Sequence, residues 1–130
     1  MGSEGRLMNM LAMERHNITI ALTQSMSVDV HSHIPGRPTP PCIVIEPGGP
    51  YLEEGDTYCD FNVRHSLILL ADNATNETAT QLLDQMICEC IDALDKWNIE
   101  SVDQPSQFEI NNNVFLGTRI DVVRQTELTI

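Results

Sequence analysis

Between Thr57 and Trp97 the spacing of apolar residues changes once, and that change constrains the fold more than any other feature of the chain. In "TYCDFNVRHSLILLAD" the residues Phe61, Val63, Leu67 and Leu69 fall on one side, and Asp60, Asn62, Arg64 and Ser66 on the other. A period of two over about ten residues predicts a long strand with one buried face. From Thr75 to Trp97 the period becomes helical. Ala79, Leu82, Leu83, Met86, Ile87, Cys90, Ile91 and Leu94 recur at i, i+3, i+4 and i+7, while Asp84, Gln85, Glu89, Asp92 and Asp95 take the outer face. Asn73 or Thr75 supplies the N-cap, its side-chain oxygen accepting an unpaired amide of the first turn. Burial of that stripe, at about 1.5–3 kcal/mol per large side chain, is what docks the helix on the sheet.

The remaining segments fall around this pair. Leu7, Met10, Leu11, Ile18, Ala21 and Leu22 predict a first helix over about Arg6 to Thr23, with Asn9, Glu14, Arg15 and Gln24 on its polar side. The alternation in "SVDVHSHI" predicts a short strand carrying His31 and His33 on one face. "PGRPTPP" follows, where four prolines in seven residues exclude regular structure. "CIVIE" is a β-branched run, buried on at least one face. A loop is expected from Pro47 to Asp56, and a break at "VDQPS". Two further strands, "QFEIN" and "VFLGTRIDVVRQTEL", are joined through Asn111 to Asn113, a residue type that tolerates positive φ in hairpin turns. Leu116, Ile120 and Val122 point one way along the last strand, Arg119 and Asp121 the other. The predicted order is α-β-β-β-α-β-β. It defines an α+β fold, a two-layer α/β sandwich with two helices on one face of a mostly antiparallel sheet. At 130 residues and 14.5 kDa the chain reads as one domain, 1–130, with residues 1–5 a flexible N-terminus. It shows no signal-peptide pattern and no apolar run near the 18 residues of a span, so neither a secreted precursor nor a membrane protein is expected.

Nineteen acidic side chains against seven basic ones give a net charge of −12. Such a surface repels a phosphate backbone, because nucleic-acid binding depends on basic side chains that displace counterions. The sign suits a protein that keeps itself soluble, and equally one that lets DNA pass without holding it. Cys42, Cys59, Cys88 and Cys90 do not make a disulfide framework in a chain of this kind. Cys88 and Cys90 stand about 200° apart around a helix and cannot share a metal ion. The sequons at Asn17, Asn73 and Asn76 carry meaning only under secretion.

Little in the sequence points to chemistry. Asp29, His31 and His33 offer a weak metal-ligand pattern, against which solvated strand-edge histidines are the plainer reading. Neither a nucleophile elbow nor a Cys–His pair is evident. Adjacent Glu53 and Glu54 diverge in an extended chain and do not share a proton. "EPGGPYLEEG" lacks dinucleotide and Walker spacing, and its acidic flanks repel phosphate. No cofactor and no catalytic residue is expected. The stretch reads as a bend: Gly48 and Gly49 loosen the backbone, Pro47 and Pro50 stiffen it, and Tyr51 and Leu52 form an apolar knob beside Glu53 and Glu54. Such a knob rimmed by charge serves a subunit interface, or else covers the edge of its own sheet.

In its order of motifs the chain resembles the tail terminator proteins of long-tailed, non-contractile bacteriophages, in particular those of actinobacterial hosts. The segments concerned are "PPCIVIEPGGPYLEEGDTYCDFNVRHSLILLAD", a variant of P-P-x-x-x-x-x-P-G-x-P-Y-L before a long strand, then "NATNETATQLLDQMICECIDAL" and "VDQPSQFEINNNVFLGTRIDV". The similarity runs from about Leu7 to Val123, and its specificity lies in the order and spacing. The resemblance implies a non-enzymatic virion protein of α+β fold. Such proteins form a homo-hexameric ring on the last ring of the tail tube, end tube growth, and meet the head-completion (stopper) proteins. DNA passes transiently through the lumen, where acidic walls keep it from adhering. Gly48, Gly49, Tyr51, Leu52, Glu53 and Glu54 are the residues expected at the subunit or tail-tube interface. Another head–tail joining protein of similar size, a small metal-dependent or thiol enzyme, and an acidic module that mimics nucleic acid are the alternatives.

Overall fold

A computed structural model describes residues 3–33, 36, 38–56, 60–72 and 77–127. The elements run α1 (Ser3–Ser25), β1 (Asp29–His31), β2 (Cys42–Glu54), β3 (Asp60–Asp72), α2 (Glu77–Ala93), β4 (Asn98–Val102), β5 (Ser106–Ile110) and β6 (Asn113–Glu127). The α+β class follows, with a six-stranded sheet in the order β1-β2-β3-β6-β4. β1 is parallel to β2, and the other pairings are antiparallel. β5 also pairs with β6, so β4 and β5 occupy one edge of that strand in succession.

The period-two reading of β3 and β6 holds along the middle of both strands, although Ser66, expected on the polar side, is buried and Phe61 only half-buried. Leu67 and Leu69, with Leu116, Ile120 and Val122, join one core with Ile43 and Ile45. The helices contribute Ile18 and Leu22 from α1, and Ala79, Leu83, Met86 and Cys90 from α2. "CIVIE" is buried on both faces. Cys42 and Val44 turn away from the helices into a second, smaller cluster with Ile68, Leu70 and Phe115, packed by Phe108 and Ile110 of β5. That apolar patch covers one end of the helix-free face only.

Five expectations are corrected. The helix expected to reach Trp97 ends at Ala93, and a further strand, β4, makes the order α-β-β-β-α-β-β-β. Leu94 and Trp97 remain buried through the intervening turn, closed by the Trp97 amide donating to the Leu94 carbonyl at 3.1 Å. The spacing of buried residues therefore continues past the end of the helix. Second, α1 begins at Ser3, inside the stretch expected to be flexible. Third, Glu14 is not on its solvent side but 2% exposed, in line with Ile18, Leu22 and Met26 at successive steps of four. Fourth, β1 stops at His31, leaving His33 beyond the strand. Fifth, Pro47 to Glu54 is not a loop between strands but the second half of β2. The turn at "NNN" forms as expected, with Asn111 and Asn112 at φ 51° and 66°, the left-handed conformation that two-residue hairpins require.

Candidate functional site

The unusual geometry lies where β2 passes the middle of β3. Pro47 pairs with His65 and Leu52 with Val63, so Gly48 to Tyr51 all lie opposite Arg64. A bulge of this kind re-aims side chains, and here the backbone comes close to its neighbour. A Cβ on Gly48 would stand 2.9 Å from the Cβ of Arg64, whereas one on Gly49 would meet nothing within 4 Å. Only the first glycine is demanded by space. Peptide bonds Pro40–Pro41 and Gly49–Pro50 are cis.

Beyond the bulge the expected interface residues part company. Tyr51 is half-buried against its own domain. Its hydroxyl accepts from Arg15 Nη2 at 3.0 Å, and its ring meets His65 edge-on, with centroids 5.5 Å apart at 88°. Leu52 is 42% exposed. Glu53 pairs with Arg64 Nη1 at 2.8 Å, and Glu54 is exposed. The edge-covering reading therefore fits Tyr51, and the outward reading fits Leu52 and Glu54.

On the helix-free face the bulge walls a cleft of about 410 Å³ that Arg64, Ser66, Glu100, Ser101, Arg119 and Asp121 also line. Register explains why they meet: Glu46 pairs with Ser66, Ser66 with Asp121 and Asp121 with Ser101, a row across four strands. Arg64 bridges Glu53 and, through Nε at 3.0 Å, Glu100. Arg119 lies 3.6 Å from Glu46. Ser66 and Ser101 donate to the two carboxylate oxygens of Asp121 at 2.7 and 3.1 Å. Each charge in the row is answered by a neighbour. The cleft is an organised polar surface.

The helix-bearing side holds a polar cluster that sequence reading missed. Glu14 receives both Nε and Nη2 of Arg124, and the Arg124 guanidinium stacks 4.0 Å above the Trp97 ring. His65 is 1% exposed and its Nε2 has no hydrogen-bond partner among the described residues. Burial pushes its pKa down to about 4, assisted by the charge of Arg15 and opposed by that of Glu14. A signal for Glu14 was present: it stands four and eight residues ahead of Ile18 and Leu22, on the same stripe.

Asp29 and His31 lie on β1, and His33 Nδ1 sits 3.4 Å from the hydroxyl of Ser32. Among the described residues no three His, Cys, Asp or Glu side chains are grouped to hold a metal ion. Burial, with the charge of Asp29 beside it, raises the Cys42 thiol to about 11, and burial raises Cys90 to about 12. Cys88 is exposed, opposite Cys90 as the helical angle requires, and Cys59 lies outside the described residues. Among the described residues no helix is long and apolar enough to cross a membrane. Neither a protein-family pattern nor a curated protein matches the sequence.

Proposed function

We propose that the chain is a structural subunit of a bacteriophage tail, a tail terminator. In this reading it forms a hexameric ring on the head-proximal end of the tail tube, where it stops tube growth and receives the head-completion proteins. It is assembled in the host cytoplasm and ends in the virion neck. It uses no cofactor, and DNA meets it only in transit.

The observation that carries the reading is the outcome of "PPCIVIEPGGPYLEEG", the stretch on which the resemblance chiefly rests. It folds into a bulged strand whose end displays Leu52 and Glu54 beside a face of paired charges. That is a surface suited to protein contact. The charge of −12 supports the same reading, since like charge keeps DNA from adhering to a channel wall.

Electron microscopy of tails from phage lacking the gene tests it. A terminator predicts overlong tails of irregular length, and purified protein that forms rings at one end of the tube. Tails of normal length without heads would make it a head–tail joining protein instead. Bound metal and turnover in the purified protein would favour the small-enzyme alternative.

A further inference from the structure

α1 straddles the sheet. Arg15 reaches Tyr51 on β2, while Glu14 reaches Arg124 on β6, and β3 lies between those two strands. The molecule thus presents two different flanks, one on the β2 side and one on the side of β6 and β4.

On the second flank a groove of about 440 Å³ opens between α1 and the turn after α2. Ile20, Ala21 and Ala93 form an aliphatic wall, with Asp95, Lys96, Trp97 and Arg124 beside them. Two features there are unsatisfied. Trp97 is 8% exposed, and its indole N–H, a donor with no acceptor among the described residues, is itself closed off from solvent. Lys96 is exposed and makes no ion pair or hydrogen bond with any described residue, whereas Arg64, Arg119 and Arg124 each meet a carboxylate. An unanswered cation stands out in a chain with nineteen acidic side chains. The cation and the aliphatic wall together suit a carboxylate that arrives next to an aliphatic side chain.

The first flank carries that pair. Leu52 and Glu54 are one residue apart on an extended strand, so they project from the same face, and both are exposed. Glu53, between them, turns to the opposite face and is held by Arg64. We propose that the Leu52–Glu54 end of β2 in one copy docks into the Lys96–Trp97 groove of the next. Glu54 meets Lys96, and Leu52 packs on the aliphatic wall. Two unlike patches on opposite flanks make a heterologous contact, the kind that closes into a ring. The assignment rests on the ring reading above.

Sedimentation velocity of the full chain over a concentration series, alone and with tail tubes, is the test. Lys96→Glu and Glu54→Lys are each expected to raise the concentration for half-assembly at least about tenfold, since each sets like charges together. The double variant Lys96→Glu/Glu54→Lys is expected to restore assembly to near the wild-type level. On assembly the resonance of the indole N–H, from the one tryptophan in the chain, is expected to shift. Single variants that assemble like the wild type would overturn the groove contact and leave the ring reading intact. So would a double variant no better than either single. A wild-type protein that stays monomeric alone and on tubes would remove the ring reading, and this contact with it.

Discussion

Glu14 and Arg124 show how much a single buried pair governs in this protein. The carboxylate side chain is 3% exposed and the guanidinium 23%, and the indole of Trp97 covers the latter. Removing one partner strands the other charge out of water, a loss of about 3 kcal/mol. Glu14→Gln is therefore expected to lower the free energy of urea unfolding by that order, while Glu14→Leu together with Arg124→Met recovers most of it. His65 makes stability depend on pH. Its folded pKa of about 4 lies below the ordinary 6.5, so the unfolded chain takes up the proton first. The contribution is fully present above pH 6.5, and is lost as pH falls towards 4, by about 3 kcal/mol in total. Unfolding midpoints measured across that window should fall more steeply for the wild type than for His65→Gln. Equal slopes would place the loss on other groups.

Among the elements, α2 was legible because its apolar residues carry a helical period and its acids keep to one side. β3 and β6 were legible because period two survives in each. β4 was not: it is five residues, of which only Ile99 is half-buried, and a pairing irregularity between Ile99 and Ser101 breaks its alternation. The bend at Gly48 and Gly49 was visible in the sequence, but its place inside a strand was not, since pairing with β3 lies in distant residues. Glu14 was misplaced because a charge reads as surface until its partner, 110 residues away, is known. The two glycines separate experimentally. Gly48→Ala drives a methyl against the Arg64 backbone and side chain and is expected to cost about 1–3 kcal/mol. Gly49→Ala has open space and is expected to stay within about 0.5 kcal/mol, both read by chemical denaturation.

For the whole molecule, Tyr51 and Leu52 separate folding from the proposed ring contact. Tyr51→Ala removes the contacts to Arg15 and His65 and is expected to lower thermal stability, seen as an earlier transition by circular dichroism. Leu52→Ala is expected to leave that transition in place and to weaken ring formation or tail attachment. The reverse pattern would move the contact surface elsewhere. The candidate surface was thus half legible: its residues were named from the sequence, but which of them face inward depends on α1 lying across β2.

The last strand has a consequence for how the protein is made. β6 is inserted between β3 and the β4–β5 edge, so Asp60 waits for Glu127 and Asn98 for Val123. While the ribosome is still adding Asn113 to Glu127, the sheet lacks its middle, and β4 and β5 have no strand to join. A chain ending before Asn113 is expected to show no cooperative thermal transition. On the proposed ring reading, nascent subunits therefore cannot engage one another early: the sheet that presents both flanks comes into being only when synthesis has passed β6.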